Sequence, residues 1–146
     1  MKKFLFALLA MAIIAPVTLK ADDDMPIPVD QLPAAAKDFV KQYFPDKTIV
    51  YAEKEMKFSG VEYQARLSDG AKIKFNGDGS WDKVDCKYYA VPAALVPEFI
   101  ATYVQTNYPG VMITKIDKEL YGYEIEINNG LDLKFSPTGQ LLGIDD

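Results

Sequence analysis

The chain has 146 residues, sixteen bases against twenty-one acids, a single cysteine (Cys86) and no histidine. The acid excess disfavours nucleic acid or an anionic lipid surface as partner, because both are held through basic surfaces. Without histidine there is no usual general base, no commonest zinc or haem ligand and no Ser/His or Cys/His catalytic pair, and one cysteine excludes an internal disulfide.

The first element is an apolar run from Phe4 to Val17, placed behind Lys2 and Lys3 and followed by small Ala21. That build predicts a secretory signal peptide over residues 1–21, cleaved after Ala21, and a periplasmic or secreted protein with no membrane span in its mature form. A single-span anchor is the competing reading, for which the run is short. Leu19 is larger than the residue usually found two places before a cleavage point. Without residues 1–21, thirteen bases face twenty-one acids, a net −8 over the remaining 125 residues, a length that suits one domain with its own core. "DDDMP" is expected as a flexible acidic leader over residues 22–26, at most a weak chelator.

The rest of the chain is read as a duplication. A shift of 64 lays residues 27–56 on 91–120, and a shift of 60 lays 63–86 on 123–146, with 7 and 6 identities over 54 positions. The identities fall on punctuation and core: Pro28/Pro92, Pro33/Pro97, Pro45/Pro109, Gly70/Gly130, Phe75/Phe135 and Gly79/Gly139. The first repeat spans residues 27–86, a linker 87–90 and the second repeat 91–146. Four extra residues around "KFSG" in the first copy predict a longer hairpin loop there.

Within each repeat the hydrophobic period changes. Leu32, Ala35, Ala36, Phe39, Val40 and Tyr43 recur at helical spacing between Pro33 and Pro45, as do Phe99, Ile100, Tyr103 and Val104 between Pro97 and Pro109. Four alternating segments follow each helix, broken at "FSG", "SDG" and "NGDG" and at "YG", "NNG" and "SPTG", so each repeat is expected to be α-β-β-β-β. The expected fold class is α+β: an antiparallel sheet of about eight strands with both helices on one face and the other face open.

The order "LP…FV…YFP…YQARLSDGAKIKFNGDGSW", then "VP…YV…NYP…YEIEINNGLDLKFSPTGQLL", resembles the PepSY-like, β-lactamase-inhibitor-like secreted proteins of Bacteroides and relatives, over essentially all of the mature chain. The resemblance implies tandem helix-and-four-strand units and a concave sheet able to grip a partner; it does not imply an enzyme, and members of the family are mostly of unknown function. The inhibitor itself carries a disulfide in each unit, whereas this chain has one cysteine, and no inhibitory residue transfers by position.

Candidate chemistry is sparse. Asn76, Asp78, Ser80 and Asp82 alternate in "NGDGSWD" like a calcium loop, but the glutamate and flanking helices of an EF-hand are missing. A hairpin turn accounts for the loop, and neither a metal nor any other cofactor is expected. Glu53, Glu55, Asp117 and Glu119 stand at equivalent strand positions, and outward alternation predicts solvated carboxylates, not a catalytic pair. Cys86 is either a buried small apolar residue or an exposed thiol, burial being the commoner state.

The candidate partner-binding surface is the open face, with Glu53, Glu62, Gln64, Arg66, Lys72 and Lys74, Tyr51 nearby, and Trp81 as the aromatic anchor unless the last strand turns it into the core like Leu141. The expected function is a non-enzymatic module that binds or inhibits an envelope or secreted protein through this face. The alternative is a small-ligand or glycan-binding protein that uses tyrosines and Trp81 as stacking surfaces between the two units.

Overall fold

The computed structural model describes residues 24–146; the expected signal peptide and its cleavage point lie outside them. Two helices lie on one nine-stranded antiparallel sheet whose strands are ordered as they occur in the chain: β1 (Asp24–Ile27), β2 (Ile49–Lys57), β3 (Gly60–Leu67), β4 (Lys72–Asn76), β5 (Trp81–Asp85), β6 (Ile113–Glu119), β7 (Gly122–Ile127), β8 (Asp132–Phe135) and β9 (Leu141–Asp145). Helix α1 (Ala34–Tyr43) precedes β2 and α2 (Glu98–Asn107) precedes β6, each led by a single 3-10 turn, Val29–Gln31 and Ala93–Leu95. The α-β-β-β-β unit therefore occurs twice, and the two copies join edge to edge where β5 pairs with β6.

The sequence dictates the helix ends directly. Pro33 and Pro97 stand just before the first helical residue with φ −51 and −53, where a missing N–H costs nothing. Phe44 and Tyr108 close the helices by donating to the carbonyls of Val40 and Val104, and the following Pro45 and Pro109 bar continuation. The apolar stripes pack onto one sheet face, where Ile73, Phe75, Val84, Ile116, Ile125, Ile127, Leu133 and Phe135 are fully buried. Phe39 meets Phe75 edge-on at 5.6 Å and Tyr103 meets Phe135 at 5.3 Å, the same contact in each repeat.

The paired glycines Gly79 and Gly139 have a packing cause. The β4–β5 and β8–β9 turns lie against the first turn of the helix, so a Cβ on Gly79 would sit 2.8 Å from Ala35 Cβ, and one on Gly139 3.0 Å from the Phe99 ring.

Two expectations about the strands are corrected. Residues 24–27, read mostly as flexible leader, form the ninth strand, because β2 has a free edge whose backbone groups need partners. The four extra residues of the first repeat do not lengthen a loop: β2 has nine residues against seven in β6, and β3 eight against six in β7, while both hairpins turn on two residues, Phe58 and Ser59 or Leu120 and Tyr121.

Cys86 is buried at the end of β5, and burial pushes its thiol up to about 12. The native protein is therefore expected to react with an aromatic disulfide reagent at pH 8 at least about a hundredfold more slowly than the unfolded chain, because less thiolate is present, the higher nucleophilicity of a high-pKa thiolate offsets only part of that loss, and the buried sulfur is shielded from the reagent. Comparable rates with and without denaturant would show that the thiol is accessible.

Candidate functional site: the open face of the sheet

Cross-strand register sets which side chains share the uncovered face. One row runs Pro26, Glu53, Gln64, Lys74, Lys83, Asp117, Glu124, Lys134, Gly143. The next runs Tyr51, Arg66, Lys72, Asp85, Lys115, Glu126, Asp132, Asp145. Glu62 lies beyond them, paired with Glu55 and Asn76. Tyr51, Glu53, Glu62, Gln64, Arg66, Lys72 and Lys74 thus share one face, on the side opposite Ala52, Ala65, Ile73 and Phe75.

Trp81 does not join them. A bulge between Lys74 and Phe75 sets Trp81 opposite Phe75, which turns the indole to the helix side. It packs against the core 6.3 Å from Phe39, with the Lys118 ammonium 3.9 Å from its ring centroid. The expected aromatic anchor of the open face belongs to the other side of the sheet, and the stacking surface invoked for a glycan already has a cation over it. Tyr51 is the aromatic residue that does lie there, tethered through its hydroxyl to Glu53 at 3.2 Å and covered by Arg66 at 5.4 Å.

The charges are not evenly mixed. Arg66, Lys72, Lys74, Lys83 and Lys115, interrupted by Asp85, lie between Glu53, Glu55 and Glu62 on one side and Asp117, Glu124, Glu126 and Asp132, interrupted by Lys134, on the other. Lys74 stands directly opposite Lys83, and Asp117 opposite Glu124; like charges so placed weaken a sheet. Burial lowers the pKa of Lys83, and Lys115 and Lys74 push it the same way against Asp117. Lys83 and Lys115 share the one carboxylate of Asp117, at 3.9 and 4.0 Å. Burial raises the pKa of Asp117 against the pull of both lysines, and its Oδ1 is shielded with no hydrogen-bond partner among the described residues. Lys57 pairs with Glu62 on the other flank.

Asp117, Glu119 and Glu124 bring carboxylate oxygens within 4.8 Å of one another, the arrangement among the described residues closest to a cation site. Tyr121 donates to Glu124 at 3.0 Å, and the two lysines beside Asp117 compete with any cation. In the 76–82 loop, Asp78 Oδ1 accepts from the Ser80 amide at 2.9 Å and the Ser80 hydroxyl at 2.6 Å. That carboxylate therefore holds a turn.

The helix side carries recesses that repeat with the duplication. Val29, Lys37, Val40, Lys41, Lys47, Thr48 and Ile49 line one of about 260 Å³ beside α1. Their equivalents Ala93, Ala101, Val104, Gln105, Val111, Met112 and Ile113 line one of about 310 Å³ beside α2. The first is rimmed by three lysines; the second is apolar.

Lys83 and Lys115 were not singled out from sequence, although period-two alternation places both on this face. Their convergence depends on the β5–β6 seam, whose register no local pattern announces.

Three solved Bacteroides structures with this architecture are described as "putative" periplasmic proteins. The chain is similar to a "putative periplasmic protein from DUF2874 family" of Bacteroides vulgatus, 40% identical over 86% of this chain and 99% of that one, TM-score 0.81. It has the same identity, coverage and TM-score with a "putative calcium-regulated periplasmic protein" of Bacteroides thetaiotaomicron. A second Bacteroides vulgatus protein, a "putative periplasmic protein of unknown function", is 32% identical over 84% of this chain and 99% of that one, TM-score 0.80. None of the curated proteins matches. Among the described residues no helix is long and apolar enough to cross a membrane. The family model described as "Putative beta-lactamase-inhibitor-like, PepSY-like" matches residues 20–64 and 61–143, so the chain belongs to the PepSY-like, β-lactamase-inhibitor-like family.

Proposed function

We propose that the chain is a non-enzymatic module, periplasmic or secreted after removal of residues 1–21, that binds a protein partner through the open face of its sheet. The observation that carries this is the Lys74/Lys83 and Asp117/Glu124 juxtaposition in the central row. A face serving only as a solvated exterior gains nothing from like charges set opposite each other. A partner whose surface presents acids over the basic centre and bases over the flanks relieves both repulsions at once. Glu53, Glu55 and Glu119 stand on a broad open surface, and Asp117, though shielded, is flanked by Lys83 and Lys115 rather than set in the apolar cleft that acid/base catalysis needs, which supports the non-enzymatic reading.

The test is capture from envelope extract on immobilised protein. Arg66→Glu and Lys74→Glu should each weaken capture of a wild-type-specific partner about tenfold or more, whereas Trp81→Ala, altered on the helix side, should retain it. Lys74→Glu sets opposite charges against Lys83 but adds an acid beside Glu53, Glu55 and Glu62, so an unchanged melting temperature of the variant is the control that separates lost capture from lost stability. Equal capture by wild type and both charge reversals would remove the open face from consideration.

A further inference from the structure

The two ends of the sheet are not alike, and the internal seam shows why. At the seam β5 pairs antiparallel with β6, Lys83 opposite Asp117, Val84 opposite Ile116 and Asp85 opposite Lys115. The strand equivalent to β6 in the first repeat is β2, where Asp117 and Ile116 become Glu53 and Ala52. Opposite those two residues stand Pro26 and Ile27 of β1. Ile27 therefore occupies the place of Val84 and Pro26 the place of Lys83, and β1 stands in for a β5. Ile27 packs against the core as a substitute for Val84 would have to.

The strand equivalent to β5 in the second repeat is β9, and no strand among the described residues pairs with its outer edge. Val84 is fully buried, while its counterpart Ile144 is 46% exposed. Cys86 donates its N–H to Thr114 across the seam, and backbone groups of alternate residues point the same way along a strand. The N–H and C=O of Val84 thus face β6, and those of Ile144 face the open edge. β9 carries what β5 uses to receive β6, including an apolar residue at the central position.

We propose that β1 is an edge cap that keeps this chain from pairing head to tail with a second copy of itself, β9 of one copy against β2 of the next. The occupant that the β9 edge fits is the β2 edge, because β6, the same strand in the other repeat, already pairs that way. Such an arrangement is heterologous, so each added copy would expose a fresh β9 and growth would pass beyond a dimer, as an open chain or a ring of several copies. β1 blocks it once per chain. Its own outer edge is blunted as well: Ile27 faces β2, so the neighbouring Pro26 places its missing N–H on the outward side, where an incoming strand would need a donor.

The test compares molar mass by light scattering across a concentration series. Removal of residues 24–27 should convert the chain from a species of constant mass to one whose mass climbs with concentration beyond a dimer. Adding Ile144→Pro to that deletion should restore constant mass, because proline removes the N–H on the free edge and leaves the pairing with β8 intact. A folded deletion variant that stays monomeric overturns the proposal, as does association that Ile144→Pro leaves untouched. Should the deletion fail to fold, Ile27→Ser in the full chain decides: association greater than wild type and abolished by Ile144→Pro supports the cap, and mass equal to wild type overturns it. A wild-type chain already associated through β9, seen as mass lost on Ile144→Pro alone, also overturns it.

Discussion

Gly122→Ala is expected to cost about 4 kcal/mol or more, a large share of the stability of a domain of this size. Gly122 opens β7 at φ +138, and a Cβ there would fall on the carbonyl oxygen of Phe135, 2.7 Å from the carbonyl carbon of Ser136 and 2.9 Å from the Pro137 nitrogen. All three are backbone atoms of the neighbouring β8–β9 turn, so no rotamer change relieves the clash. Gly60 is its counterpart, with φ +131 and nothing within 4 Å of the same Cβ. Gly60→Ala bears only the conformational strain, about 1–3 kcal/mol. The difference arises from the two extra residues in each of β2 and β3, which carry that hairpin tip past its neighbour. Urea unfolding of the two variants checks this, and equal losses of stability would show that the close approach at Gly122 is not real.

Phe135→Ala and Phe75→Ala should each lose about 3–5 kcal/mol, the range for deleting a fully buried aromatic side chain. For a domain of this length that lowers the melting temperature by roughly 10–20 °C. The two rings sit at equivalent positions on the sheet and take the edge of Tyr103 or Phe39 from the helix above, so the effects should be similar in size. Phe135 also meets Phe99 at 6.3 Å, and any imbalance should make its loss the greater. A fall of under about 2 °C for either variant would contradict the burial of these rings.

Most of the architecture was legible because its causes are local. Proline before and after each helix, apolar spacing of three and four, and strict alternation from Tyr123 to Ile127 leave little choice of element or face. The errors lie where a residue's environment is set by a strand distant in sequence. Met25, Pro26 and Ile27 carry two apolar residues around a proline and show no strand pattern; they are a strand because β2 offers an unpaired edge. Trp81 follows a turn, and the extra residue of a bulge changes which face it meets, which alternation counted along β5 alone does not reveal. In the candidate site, alternation was sufficient to place Arg66, Lys72 and Lys74 on one face. The opposition of Lys74 to Lys83, and of Asp117 to Glu124, follows only from the register of the β4–β5 and β6–β7 hairpins, which a bulge in each alters.

The repeated recesses beside the two helices have a further consequence. With one backbone plan used twice, each copy is a natural substitution experiment on the other. Where both keep a residue, as at Phe75/Phe135 or Gly79/Gly139, the fold requires it. Where they differ at the same place, the fold permits either choice. Lys37, Lys41 and Lys47 stand where the other copy has Ala101, Gln105 and Val111, and Lys37 and Lys41 are one helical turn apart, where like charges repel. The shared architecture does not ask for those three ammonium groups, since α2 folds without them; Lys37 donates to the Asp30 carbonyl and Lys41 stands in the last turn of α1, where a cation suits the helix dipole, local contacts that the second copy does without.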